Sequence, residues 1–174
     1  MRIFVAMELP EELLEALSET SAMLRDGVHG RYVAPDRFHV TLAFLGEVEG
    51  ARLPALVEAL DEACQGHGPF PIRLGELGSF GRRRSAVLWQ AVDGGEALLS
   101  LAADVRAALR HAGFDFDEKP LVPHVTLMRS ADLTGGILPS PAFAVGAADT
   151  VTLFSSDLSG AHPAYTPLER FFLE

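Results

Sequence analysis

Phe38-His39-Val40-Thr41-Leu42-Ala43-Phe44 and His124-Val125-Thr126-Leu127-Met128-Arg129 share the word His-Val-Thr-Leu, and the second copy follows the first by 124 − 39 = 85 residues in a chain of 174. Side chains alternate faces along a strand, so in each copy His and Thr share one face while Val and Leu anchor the other. Each copy is preceded by a Pro-bearing turn, Ala34-Pro35-Asp36-Arg37 or Lys119-Pro120-Leu121-Val122-Pro123. Each is followed by an acidic stop, Gly46-Glu47 or Ser130-Ala131-Asp132. A single such word reads as an ordinary strand with a tolerated histidine. Two copies in matching contexts read as one element used twice, with an imidazole and a hydroxyl side by side on each strand.

The remaining pattern supports a twofold-like layout. Alternation predicts a first strand over residues 2–8, and Leu13, Leu14, Leu17 and Leu24 predict a helix over roughly 10–25. A short segment around Arg31-Tyr32-Val33 leads to the first motif strand, Phe38 to Phe44. Helical spacing returns over 51–64 and over Gly95 to His111, where Gly113 is the stop. Strands are expected at Phe70 to Leu77, Ser85 to Val92, His124 to Arg129, Ala142 to Val145, Thr150 to Leu158 and Tyr165 to Leu173, with a polar loop over Ser130 to Pro141. The expected class is α+β: two similar pseudo-twofold lobes of antiparallel strands with outer helices and a groove between them. No Gly/Ser-rich linker interrupts the chain, so residues 1–174 are expected to act as a single two-lobed catalytic domain.

Composition narrows the function. An apolar fraction of 48% with 22% charged residues belongs to a folded globular chain. No apolar run is long enough to span a bilayer, and Met1 to Pro10 reads as a strand rather than a signal peptide, so no membrane partner is expected. The single cysteine, Cys64, excludes an internal disulfide framework and fits the cytoplasm. A net charge of −10 argues against tracking long nucleic acids by their phosphates. The only basic run is Arg82-Arg83-Arg84, so a nucleic-acid partner would be gripped at a strand end or a single nucleotide.

Two histidines, each with a hydroxyl at i+2, suit acid–base chemistry on a phosphate ester. Histidine titrates near neutrality, so one ring can accept a proton while the other donates one. The Thr41 and Thr126 hydroxyls can donate to non-bridging phosphate oxygens as charge builds there. Metal ligation is poorly served: there is no His-x-His, no His-Glu-x-x-His and no cysteine cluster. Gly-x-Ser-x-Gly is missing, and so is a Walker-type phosphate loop. The sequence therefore calls for no metal and no cofactor.

Paired His-x-Thr-apolar strands half a chain apart resemble the HxTx motifs of the two-histidine (2H) phosphoesterase superfamily. Within it the chain resembles the bacterial and archaeal RNA 2′,3′-cyclic phosphodiesterases, also called 2′-5′ RNA ligases. The likeness extends through Arg2-Ile3-Phe4-Val5-Ala6, Ala43-Phe44-Leu45-Gly46-Glu47, Pro123 and Met128-Arg129, and Tyr165-Thr166-Pro167-Leu168. It implies hydrolysis of a terminal 2′,3′-cyclic phosphate to a 2′-phosphomonoester without metal or nucleotide cofactor, and less directly the reverse 2′-5′ joining. It implies His39 as general acid, His124 as general base, and Thr41 and Thr126 as phosphate-holding hydroxyls. It also places Arg129 near the site. Strict alternation would put Arg129 on the Val125 and Leu127 face, and a bulge after Leu127 would reconcile the two. The partner implied is an RNA end or a nucleotide carrying a cyclic phosphate, bound by a monomer.

Other residues carry weaker expectations. His29, His67, His111 and His162 read as surface histidines of loops and helix ends. Phe44 and Tyr165 could stack on a base, with Phe44 expected in the core. Ser155 and Ser156 are groove candidates. Other substrates stay open, among them a 2′-5′ oligoadenylate or an ADP-ribose cyclic phosphate, as does non-catalytic binding of RNA ends.

Overall fold

Arg2–Met7 is apolar on both faces, and in the computed structural model, which describes residues 1–174, Ile3 to Met7 are all buried. A strand wetted on neither face belongs inside a sheet. This one, β1, pairs antiparallel with β3 (Val40–Glu47) on one side and β8 (Thr150–Asp157) on the other, and β9 (Ala164–Phe172) completes the order β3-β1-β8-β9. The second sheet has the order β2-β6-β5-β4-β7, from β2 (Arg31–Tyr32), β4 (Phe70–Arg82), β5 (Ser85–Asp93), β6 (His124–Ala131) and β7 (Val145–Ala148). All its pairs are antiparallel too. With three helices this is the expected α+β class.

The helices are α1 (Glu11–Leu24), α2 (Leu53–Cys64) and α3 (Gly95–His111). None has a side-chain hydrogen bond at its N-cap, a device worth about 1 kcal/mol. Their apolar stripes outweigh that. Leu13, Leu17 and Leu24 of α1, Leu56 and Leu60 of α2, and Leu98, Leu101, Val105 and Leu109 of α3 are buried. Each such side chain contributes about 1.5–3 kcal/mol.

The pseudo-twofold relates β3-β1-β8-β9 to β6-β5-β4-β7, and the unit β1–α1–β3 to β5–α3–β6. The lobes are interleaved, not successive halves: β8 and β9 return from the C-terminal end to complete the sheet that β1 begins. The segments leading into the motif strands also cross over. Residues 31–32 precede β3 in the chain yet pair with β6 of the other sheet, and the Val33 N–H donates to the Leu127 carbonyl at 2.9 Å. Reciprocally, the segment before β6 reaches β3, where the Asp117 N–H donates to the Phe44 carbonyl at 2.9 Å. Each motif strand is thus edged by the lead-in of the other, which ties the two lobes together at the motifs.

Several element boundaries differ from the sequence reading: β4 runs on to Arg82 instead of ending at Leu77, β3 ends at Glu47 instead of Phe44, and β6 ends at Ala131 instead of Arg129. The first motif strand begins at Val40 instead of Phe38, because a 3-10 turn over Pro35–Arg37 holds Phe38 and His39 just outside the ladder. The strand expected at Ala142 to Val145 forms at Val145–Ala148. The Ala142 backbone is bonded to side chains: its N–H donates to Thr20 Oγ1 at 2.9 Å and its carbonyl accepts from Gln90 Nε2 at 2.8 Å.

Candidate active site

Both motif strands carry the same irregularity. On β3, Val5 faces Ala43 and Ala6 faces Thr41, which leaves Leu42 as an extra residue. On β6, Trp89 faces Thr126 and Leu88 faces Met128, which leaves Leu127 extra. A bulge shifts the alternation by one. Leu42 and Ala43 are consequently both buried, as are Leu127 and Met128, and the residues that follow turn to the cleft. Those residues are Phe44 and Arg129, which occupy equivalent places. The bulge needed to bring Arg129 round is present, and its counterpart moves Phe44 out of the expected core to 37% exposure.

His39, Thr41, His124, Thr126 and Arg129 all line one cleft of about 960 Å³ between the sheets. The two histidines are framed alike. His39 Nδ1–H donates to the Arg37 carbonyl at 2.7 Å, and His124 Nδ1–H donates to the Val122 carbonyl, in each case two residues back. That bond fixes the tautomer and leaves Nε2 for chemistry. Aromatic rings back both: Phe4 and Tyr165 lie 5.0 and 5.5 Å from His39, Trp89 and Phe80 lie 5.5 and 5.3 Å from His124. Gly78 makes room for the indole, since a Cβ there would stand 2.2 Å from Trp89.

The histidines differ in their second bond. Thr41 Oγ1–H donates to His39 Nε2 at 3.0 Å, and no such bond joins Thr126 to His124. Burial pushes the His39 pKa down to about 4, with the charges of His124 and Arg129 adding to the effect and the bond to Arg37 opposing it. His39 is therefore neutral in the free protein at neutral pH. The unfolded chain binds a proton there below pH 6.5 and the folded one only below about 4, so this group's contribution to stability is present above 6.5 and lost as pH falls towards 4. An anion in the cleft favours the imidazolium and reverses the shift. NMR titration should find a His39 midpoint near 4 in the free protein and a higher one with a nucleoside 2′-monophosphate bound; an unchanged midpoint would contradict this electrostatic account.

The charge balance inverts inside the cleft. Six of the 14 Lys and Arg residues line it (Arg2, Arg31, Arg37, Arg106, Lys119 and Arg129) against one of the 24 Asp and Glu residues, Asp117. Five of the six went unrecognised in the sequence because they arrive from separate segments. Arg106 also has a structural part: its Nε–H donates to the carbonyl of the bulged Leu42 at 3.1 Å, and Nη1–H to the Lys119 carbonyl at 2.8 Å. Of the weaker candidates, His162, Ser156, Phe44 and Tyr165 line the cleft, whereas Ser155, His29 and His111 do not. His67 pairs with Asp104 at 2.7 Å. Arg82, Arg83 and Arg84 lie outside, with Arg83 donating to the Leu133 carbonyl.

The LigT-like phosphoesterase family model matches residues 7–89, the part that holds the first motif. An RNA 2′,3′-cyclic phosphodiesterase of Escherichia coli is 34% identical over 99% of this chain and 96% of its own length. One of Geobacillus stearothermophilus is 33% identical over 85% of this chain, and there the match spans 48% of the relative's length. The crystal structure of Escherichia coli LigT complexed with 3′-AMP superposes with a TM-score of 0.84 at 31% identity, covering 99% of this chain and 97% of that one. Two equivalent His-x-Thr strands in one cleft, and this likeness from end to end, show that the chain belongs to the LigT-like phosphoesterases of the two-histidine superfamily.

Proposed function

We propose that the protein is an RNA 2′,3′-cyclic phosphodiesterase that opens a terminal cyclic phosphate to a 2′-phosphomonoester by metal-independent acid–base catalysis. The observation that carries this reading is the pair of identically framed histidines, one from each sheet, in a single cationic cleft. His124 Nε2 takes a proton from water as its oxygen bonds to phosphorus. The P–O3′ bond breaks, and His39 Nε2–H gives its proton to the departing O3′. Thr41 and Thr126 donate to the non-bridging oxygens, Thr41 releasing His39 Nε2 to do so, and Arg129 offsets their charge. Because His39 is neutral in the free protein, it takes up its catalytic proton together with the anionic substrate. With the 5′-hydroxyl of a second RNA end in place of water, the same groups would join the two ends through a 2′-5′ bond, the P–O3′ bond breaking and His39 again protonating O3′.

No group of three or more His, Cys, Asp or Glu side chains is placed to hold a metal ion. No helix is long and apolar enough to cross a membrane. We assign the protein to the cytoplasm, with residues 1–174 acting as one catalytic domain and as a monomer. The deciding experiment offers nucleoside and oligonucleotide 2′,3′-cyclic phosphates, a 2′-5′ linked dinucleotide and ADP-ribose cyclic phosphate, with and without chelator. The expected result is chelator-insensitive hydrolysis of the RNA cyclic phosphates, with the phosphate retained on the 2′ oxygen. A 3′-phosphate product, or turnover of the other substrates alone, would overturn the reading.

A further inference from the structure

Arg31 and Arg129 stand directly opposite one another where β2 pairs with β6, and both side chains are exposed in the cleft. Directly opposed residues of an antiparallel pair project to the same face, and like charges placed this way destabilise the pair. The usual remedy is a nearby carboxylate. None is supplied, although the chain has 24 acidic residues. Neither arginine takes part in any of the five ion pairs of the protein. Of the other cleft cations, Arg106 bonds two carbonyls, Lys119 lies 3.8 Å from Asp117 and Arg2 covers the Phe44 ring at 5.2 Å, while Arg37, on the 3-10 turn before β3, has no ion pair but no like charge paired opposite it in a ladder.

The position of Arg31 is also closely fixed. Gly30 lies so near β6 that a Cβ there would stand 2.8 Å from the Ser130 carbonyl oxygen and 2.9 Å from the Ala131 Cα. These are backbone atoms that cannot yield as a flexible side chain would. The next ladder position, Tyr32 against Met128, and the bond from Val33 N–H to Leu127 hold the segment from its other side. A single cyclic phosphodiester carries one negative charge, and Arg129 with the two motifs already addresses it. The surplus cation beside them calls for a second negative charge on the substrate. The cleft, at about 960 Å³, is at the upper end of the range for small-molecule sites, roughly 300–1,000 Å³, and has room beyond one nucleotide.

We propose that Arg31, held beside Arg129 by the β2–β6 pairing, binds the phosphodiester on the 5′ side of the terminal nucleoside, so that the protein selects RNA ends of two or more nucleotides over mononucleotide cyclic phosphates. The inference rests on the cyclic-phosphate reading and adds the minimum substrate to it. Arg31 is then a specificity-determining residue, and its guanidinium fork matches two oxygens of one phosphate.

The test compares three substrates on the purified full chain: adenosine 2′,3′-cyclic phosphate, the dinucleotide ApA ending in the same cyclic phosphate, and that dinucleotide with a neutral methylphosphonate linkage. The unaltered protein should favour the charged dinucleotide in kcat/KM by about tenfold or more, the scale of one charge-assisted hydrogen bond. Arg31→Gln should lower kcat/KM for the charged dinucleotide about tenfold more than for the mononucleotide, mainly through KM. The extra loss should vanish with the methylphosphonate linkage, and Arg31→Lys should restore part of the preference. Equal losses on all three substrates would put Arg31 on the scissile phosphate or in the fold and overturn the proposal. Absence of a dinucleotide preference in the unaltered protein would overturn it as well. Failure of the unaltered protein to hydrolyse any of the three would instead sink the cyclic-phosphate reading, and this inference with it.

Discussion

Replacement of His39 or His124 by alanine is expected to lower the single-turnover rate on an RNA 2′,3′-cyclic phosphate by about 10²- to 10⁴-fold, the contribution of one positioned proton transfer. The two losses should not multiply. If both protons move as the pentavalent phosphorus forms and collapses, removing either partner stalls the same step, and the double variant should be little worse than the poorer single. The His39 ring packs against Phe4 and Tyr165, so His39→Ala also leaves a gap between aromatic rings. His39→Gln keeps much of that volume while losing the titrating nitrogen, and it should be equally inactive. It should also abolish the part of the acid-side loss of stability, between pH 6.5 and about 4, that belongs to this ring. Full activity of any of these variants would end the paired mechanism.

How much of this was legible in the chain depends on the range over which each feature is encoded. His and Thr at i and i+2 are local, so alternation alone put them on one face, and both copies line the cleft. Gly95–His111 was readable to the residue because an apolar stripe and a stop glycine bound it. Arg129 and Phe44 were harder, since their direction depends on a bulge. Pairing register creates that bulge, and the four-letter word by itself does not. Only the family likeness pointed to Arg129, and nothing pointed to its equivalence with Phe44. The cationic cleft was the least visible feature. Arg2, Arg31, Arg37, Arg106 and Lys119 come from β1, β2, a 3-10 turn, α3 and a loop, so no sequence window contains them. Net charge averaged over the chain pointed to a small grip, a strand end or a single nucleotide, and concealed the sign of the site.

The equivalence of Phe44 and Arg129 also shows how a nearly symmetric frame is given direction. Identical bulges deliver an aromatic ring from one lobe and a guanidinium from the other. The first is a surface on which a base can stack, and the second is a charge for a phosphate. Arg2 lies over the Phe44 ring and extends that face, while Arg31 extends the face of Arg129. The two histidines therefore see different surroundings despite matching frames. Only His39 is bonded by its own threonine. A substrate with a base at one end and phosphates at the other has one favourable orientation in such a cleft.

Arg129→Gln should then cost about 10²-fold in kcat/KM on the mononucleotide cyclic phosphate, comparable to the loss of one strong donor from an oxyanion site. A unit charge 4 Å from a phosphate oxygen at an effective dielectric of 20 interacts by about 4 kcal/mol before desolvation is subtracted, so a net loss of about 2.7 kcal/mol is the right scale. Two further readouts separate this from general damage to the fold. The charge of Arg129 is among the causes that depress the His39 pKa, though the smallest of them, so Arg129→Gln should move the free-state midpoint slightly upward from about 4. The salt dependence of RNA-end binding should weaken by about one phosphate contact. Arg129→Lys keeps the charge but not the fork, so it should restore the salt dependence more fully than the rate. The contrast with Arg31 is the sharpest check. Arg129→Gln should damage mononucleotide and dinucleotide substrates alike, because both present the same scissile phosphate. If the mononucleotide were spared, Arg129 would belong with Arg31 on the 5′ phosphate, and the two threonines would be left to hold the cyclic one.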